Sequence, residues 1–153
     1  MSCTEIMISN PVTLQAQANI GDALALLNEH HVHTLPVVDA TGAFLGLFGT
    51  CELLGLLLPK AATWSGELDV GGIGFLPEGR PELHQRLEAL HGETVADHLN
   101  TKAVCVHPDT PLMEALLLLR RSAAVLPVVE QGDNRLVGLI TSNEALRRIA
   151  AEA

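Results

Sequence analysis

The 153-residue chain is 48% apolar, 3% aromatic and lacks Tyr, so it can bury one aliphatic core, or two small halves that share one. Its net charge of −9 excludes general nucleic-acid binding, which needs cations to neutralise phosphates. No apolar run reaches the ~18–20 residues that span a bilayer, and Cys3, Cys51 and Cys105 lack the spacing of a disulfide framework or zinc site.

Residues 4–9 are expected to form a short helical turn leading into a strand over 12–14. Asn19 reads as an N-cap with Asp22 three residues on, opening a helix to about residue 29 with Ile20, Leu24 and Leu27 on one face. His30, His31 and His33 follow in a loop. Leu35-Pro36-Val37-Val38 and Leu45-Gly46-Leu47-Phe48 are apolar runs around a turn at 40–43, which is a hairpin. The helix expected over 51–58 ends at Pro59 and is apolar nearly all round, so it should be buried on several sides at a repeat or subunit interface.

Residues 60–79 are dense in glycine and read as a long loop, expected to be mobile without ligand or partner, with Trp64 as its one large contact. Pro81 then opens a helix on which Leu83, Leu87 and Leu90 share a face, and Gly92 ends it. From Val95 a second unit begins. It has a strand over 104–106, Thr110 as cap with Pro111 at the first helical position, and a helix over 112–121. A hairpin follows, of Leu126-Pro127-Val128-Val129 and residues 136–140 around a turn at 131–134. Thr141 and Glu144 have the spacing of a capping box, opening a last helix to about residue 151.

The two units are copies. Pro36 matches Pro127, Gly46 matches Gly138 and Glu52 matches Glu144, an offset of 92 residues that slips by one at the prolines and recovers in the hairpin turn. Slips confined to turns are what a duplicated fold tolerates.

These residues resemble the cystathionine-β-synthase (CBS) domain. Its pattern is a short strand, a helix, hydrophobic-Pro-Val-Val-Asp, a turn, and Gly-hydrophobic-hydrophobic-Thr/Ser-x-x-Asp opening the last helix. The resemblance covers roughly residues 4–58 and 96–149 and implies an α+β fold. Two CBS repeats, 1–59 and 95–153, would pack as a pseudo-two-fold pair, with a helical insert at 60–94. It also implies that adenosine-type ligands lie in clefts between the repeats. Carried over by position, the candidates in repeat 2 are Thr101, Val104, Cys105, Leu126, Pro127, Thr141 and Glu144. In repeat 1 they are Ser9, Val12, Thr13, Leu35, Pro36 and Glu52, with Gly49 where a hydroxyl is expected.

Both positions where the family carries a ribose-binding Asp are Glu here. Backbone groups read adenine edges, a carboxylate accepts ribose hydroxyls, and a helix N-terminus attracts phosphate. The alternative role of Thr141, Glu144 and Glu52 is helix capping. Charge separates the repeats: residues 1–59 hold no Lys or Arg, whereas repeat 2 contains Lys102, Arg120, Arg121 and Arg135. Repeat 2 is therefore the expected principal site.

His30, His31 and His33 have no further ligand at metal spacing, Gly71-Gly72-Ile73-Gly74 lacks the spacing of a dinucleotide loop, and no catalytic constellation is identifiable. The expected function is a stand-alone, non-enzymatic regulatory module of the cytoplasm. It would be a homodimer that binds an adenine nucleotide of the AMP, ADP or ATP class and signals to a protein partner. The alternatives are a dimeric interaction scaffold with degenerate sites, and metal chemistry at the His cluster.

Overall fold

A computed structural model describes residues 1–58, 79–122 and 125–151; the glycine-dense stretch over 60–79, with Trp64 and Gly71-Gly72-Ile73-Gly74, lies outside the described residues except for Gly79. Repeat 1 contains a 3-10 turn (Cys3–Ile6), β1 (Ile8–Ser9), β2 (Leu14–Gln15), α1 (Ile20–His30), β3 (Thr34–Val38), β4 (Phe44–Gly49) and α2 (Thr50–Leu57). The insert helix α3 (Arg80–Leu90) follows. Repeat 2 contains a 3-10 turn (Val95–His98), α4 (Leu112–Arg121), β5 (Val125–Val129), β6 (Leu136–Thr141) and α5 (Ser142–Ala150). Among the described residues no helix is long and apolar enough to cross a membrane.

Local chemistry sets these boundaries. Asn19 Oδ1 accepts the Asp22 N–H at 2.8 Å and starts α1, and His31 ends it in the left-handed region. Asp39 Oδ1 accepts from Thr41 N and Ala43 N at 2.8 and 3.0 Å, closing the β3–β4 turn. Both hairpins are antiparallel and both carry a register shift at the same place, between Val37 and Val38 and between Val128 and Val129. The copies therefore match in fine structure.

The sheets are not built from one repeat each. Order β2-β3-β4 uses repeat 1 alone, but the second sheet is ordered β1-β6-β5, so β1 leaves its own repeat and pairs with β6. Ile8 faces Leu139, and at the offset of 92 Asn100 faces Leu47, with hydrogen bonds in both directions at 2.9 and 3.0 Å. The bridges Ser2–Pro111 and Asn19–Thr94 are likewise one contact made twice, and Ala43–Arg135 maps onto itself and so marks the pseudo-two-fold axis. Side chains follow the backbone. Cys3, Ile6 and Met7 are buried in the core of repeat 2, and Val95 is buried in that of repeat 1. Burial of Ile6 and Met7 contributes about 1.5–3 kcal/mol each.

The exchange explains two glycines. A Cβ on Gly46 would stand 2.7 Å from the Asn100 carbonyl oxygen; one on Gly138 would meet Met7 and stand 2.7 Å from the Ile8 oxygen. A further tie comes from α5. Glu144 accepts from Arg147 Nε at 2.9 Å and Arg148 Nε at 2.8 Å, and Arg148 also donates to the Met7 carbonyl at 2.7 Å.

Several expectations need correction. The strand expected over 12–14 is shifted to Leu14–Gln15, because left-handed Asn10 and imide Pro11 break the chain after β1. Of residues 104–106, only Val106 pairs, with Val128. Thr110 does not cap α4: its hydroxyl accepts from His107 N at 3.0 Å, and Pro111 takes the cap position. The capping box at α5 is half formed. Thr141 Oγ1 accepts from Glu144 N at 3.3 Å, but the Glu144 carboxylate turns along the helix to the arginines. The apolar helix α2 buries only Leu53 within one chain, and Leu54 stays 61% exposed.

Gly46→Ala should cost about 1–3 kcal/mol through overlap with Asn100, whereas Gly55→Ala, with nothing within 4 Å in α2, should gain about 0.5–1 kcal/mol. Urea unfolding measures both. A Gly46→Ala variant as stable as the parent would contradict the exchanged pairing. Arg147 and then Arg148 hold the Glu144 carboxyl down at about 2, from an ordinary 4.5. A folded-state pKa below the unfolded one adds stability that is fully present above pH 4.5 and is lost as pH falls through about 2. Melting temperature between pH 5 and pH 2 should therefore fall less in Glu144→Gln than in the parent; parallel curves would show the ion pair to be inert.

Candidate functional site

The strand–helix junction places the candidate residues of each repeat. In repeat 2, Thr141 ends β6, caps α5 and faces Val125 across the hairpin. Glu144 keeps only a fifth of its side-chain exposure, and its carboxylate is already engaged by Arg147 and Arg148. Arg147 and Arg148 take three of the roughly four acceptor positions of this carboxylate. Two guanidinium groups flank this one carboxylate, so α5 carries a local excess of positive charge beside Glu144.

In repeat 1 the division of labour differs. Glu52 Oε1 accepts the Gly49 N–H at 2.8 Å and so caps α2, while burial pushes its carboxyl up and the Gly49 bond opposes that. Gly49 has no room for a side chain. A Cβ there would overlap the His33 carbonyl oxygen and the Thr34 hydroxyl. Thr34 is the direct cross-strand partner of Gly49.

The apolar floor crosses the pseudo-two-fold axis. Half-buried Cys105, Ala103, Val125 and Leu136 pack with Val129 against Phe44 and Leu47 of repeat 1. Burial pushes the Cys105 thiol up and keeps it protonated. Leu35, Pro36, Leu126 and Pro127 are buried, so these four shape the floor from within. Val12 and Val104 are exposed, at 37% and 44%, and Thr13 is half-buried. Ser9 and Thr101 are exposed where their segments cross to the other repeat's sheet; Ser9 pairs with Gly138, and Thr101 directly follows Asn100, the partner of Leu47.

The structure thus brings Cys105, Leu126 and Thr141 to one junction with Val125, and Leu35 and Glu52 to its counterpart with Thr34. Sequence reasoning did not single out Thr34, Val125, Phe44, Arg147 or Arg148. The period of the repeat would have paired Thr34 with Val125, but not shown which strand each faces. The four cations it did name are exposed, and Arg135 stands at the repeat 1 turn, 3.9 Å from where a Cβ on Gly42 would sit. His30, His31 and His33 are exposed, and among the described residues no three His, Cys, Asp or Glu side chains group to hold a metal. Two open recesses, between Asn10 and the β5–β6 turn and between Leu57 and α3, include none of the candidate residues.

Known proteins share this arrangement. The CBS domain family model matches residues 3–58 and 95–151. A CBS domain-containing protein of Dictyostelium discoideum is 29% identical over 143 residues, 93% of this chain and 86% of that protein. The chloroplastic CBS domain-containing protein CBSX2 of Arabidopsis thaliana is 27% identical over 135 residues, 88% of this chain and 56% of its own length. The crystal structure of Arabidopsis CBSX2, a CBS-pair protein, superposes with a TM-score of 0.76 at 25% identity, covering 99% of this chain and 98% of that one. A structure of CBSX2 in complex with AMP gives 0.70 at 25% identity, covering 97% and 96%. With the duplicated hairpins, the exchanged leading segments and both matched repeats, this chain belongs to the CBS domain family.

Proposed function

We propose that this chain is a regulatory module that binds an adenine nucleotide between its two CBS repeats and passes the event to a protein partner. The observation that carries the reading is the near full-length likeness to CBSX2, a protein crystallised with AMP. The principal site is the repeat 2 junction: Thr101, Val104 and Cys105 beside the base, Leu126 and Pro127 beneath it, Thr141 at the phosphate and Glu144 at the ribose. Arg147 and Arg148 add positive charge there. Ser9, Val12, Thr13, Leu35, Pro36 and Glu52 are the repeat 1 counterparts. Ligand and Arg147 compete for Glu144, so binding shifts α5 and its tie to Met7, and an equilibrium moves by as much as the ligand prefers one arrangement.

The reading is non-enzymatic, and three free thiols, Cys3, Cys51 and Cys105, suit a reducing cytoplasm. A homodimer accompanies it. Leu54, Met113, Leu117, Leu146 and Ile149 are 49–75% exposed, more bare aliphatic surface on helices than a monomer ordinarily presents. Sedimentation at micromolar concentration should give twice the chain mass, and Leu146→Asp should halve it. A parent that sediments as a monomer removes the dimer.

Titration calorimetry with AMP, ADP and ATP tests the site. The parent should bind with a dissociation constant of tens of micromolar, about 6 kcal/mol. Glu144→Ala should weaken this phase and Glu52→Ala should leave it intact. The reverse pattern would move the principal site to repeat 1. No binding at millimolar nucleotide would leave an interaction scaffold as the function.

A further inference from the structure

We infer that two copies of the chain pair head to tail, the helical face of repeat 1 in one copy lying on the helical face of repeat 2 in the other. This deepens the homodimer reading above and rests on it; what it adds is which face each surface accepts. α1 and α2 pack on one core cluster and α4 and α5 on the other, so each repeat presents one two-helix face. Leu54 and Leu146 are counterparts at the offset of 92, and both are exposed, so the two faces share an apolar centre.

Around that centre the faces differ in opposite senses. The first difference is charge. α1 and α2 carry Asp22, Glu29 and Glu52 with no Lys or Arg, whereas α4 and α5 carry four arginines against Glu114 and Glu144. Arg121 stands where repeat 1 has Glu29, and both are exposed. Helix α3, packed against α2, adds Arg80 and Arg86 but also Glu82 and Glu88, and so leaves the balance as it is. The second difference is size. Exposed Ala25 and Gly55 of repeat 1 correspond to exposed Leu117 and Arg147 of repeat 2, and a Cβ on Gly55 would meet nothing within 4 Å. Repeat 2 thus carries the large side chains and repeat 1 the small ones.

Pairing like faces would set arginines against arginines and leave two acidic, small-residue faces together. Pairing unlike faces sets arginines over acids and large side chains over small. Opposite charge across an interface steers and selects the partner, and like charge opposes it. The unlike contact is made twice about one two-fold axis, which closes the assembly at two chains.

Sedimentation equilibrium in a salt series tests this. The dissociation constant of the parent dimer should rise several-fold between about 50 and about 500 mM NaCl, because salt screens attraction between the faces; like-face pairing predicts the reverse. Glu29→Arg and Arg121→Glu should each weaken the dimer about 10-fold, since each contact occurs twice, and the chain carrying both changes should return to within about 3-fold of the parent. Ala25→Leu, which copies the repeat 2 residue into repeat 1, should also weaken pairing about 10-fold by overfilling the contact. Circular dichroism checks that each variant folds, and the parent salt series needs no variant. A parent dimer that tightens with salt, a double variant no better than the single ones, or an Ala25→Leu dimer tighter than the parent would show that like faces pair, while the homodimer reading stands. A parent that is monomeric at micromolar concentration removes both.

Discussion

The rest of the molecule depends on the pairing of each repeat's leading segment with the other repeat's last strand. Ile8 lies on Leu139 and Asn100 on Leu47, and the side chains just before them fill the opposite core. Neither half can bury its own aliphatic surface without the other. A three-stranded sheet with two helices is small for independent stability, and exchanging a segment lets two such units share one folding transition. The glycines at 46 and 138 are the steric condition for that exchange, since the crossing backbone passes where a Cβ would stand.

Symmetry of the backbone does not bring symmetry of chemistry. The two strand–helix junctions superimpose in register, yet one carries two arginines around its carboxylate and the other has no cation within its own repeat. Glu144 is held ionised at its helix surface, whereas half-buried Glu52 is pushed towards its neutral form and spends an oxygen on the backbone of Gly49. Duplication supplied two equal frames, and different side chains make the two junctions chemically unequal.

The helical faces diverge in the same way. In repeat 1, α3 lies against α2, and Leu87 and Leu90 pack on the core cluster that includes Leu53. On repeat 2, Ile149 is 51% exposed where its counterpart Leu57 is half-buried, but Leu146 at 64% is no barer than its counterpart Leu54 at 61%. The insert helix therefore covers this face of repeat 1 only in part.

Much of this was legible in the chain alone. Alternation of apolar runs with Gly, Asp and Asn clusters located both hairpins, the 92-residue period located the duplication, and the likeness to the CBS pattern supplied the candidate residues. The hairpin signals are local, set by turn chemistry and strand periodicity within about ten residues. What tertiary structure alone decided is which sheet each leading segment joins, which way Glu144 turns, and that Thr34 stands opposite Gly49. The expected strand over 12–14 illustrates the limit: Val12 and Thr13 have the right residue types, but Asn10 and Pro11 divert them from the ladder. Thr34 and Gly49 lie 15 positions apart and become one junction only when β3 and β4 pair in register. Glu144 has the spacing of a capping residue, yet two guanidinium groups on the next turn hold its charge more strongly than one backbone N–H.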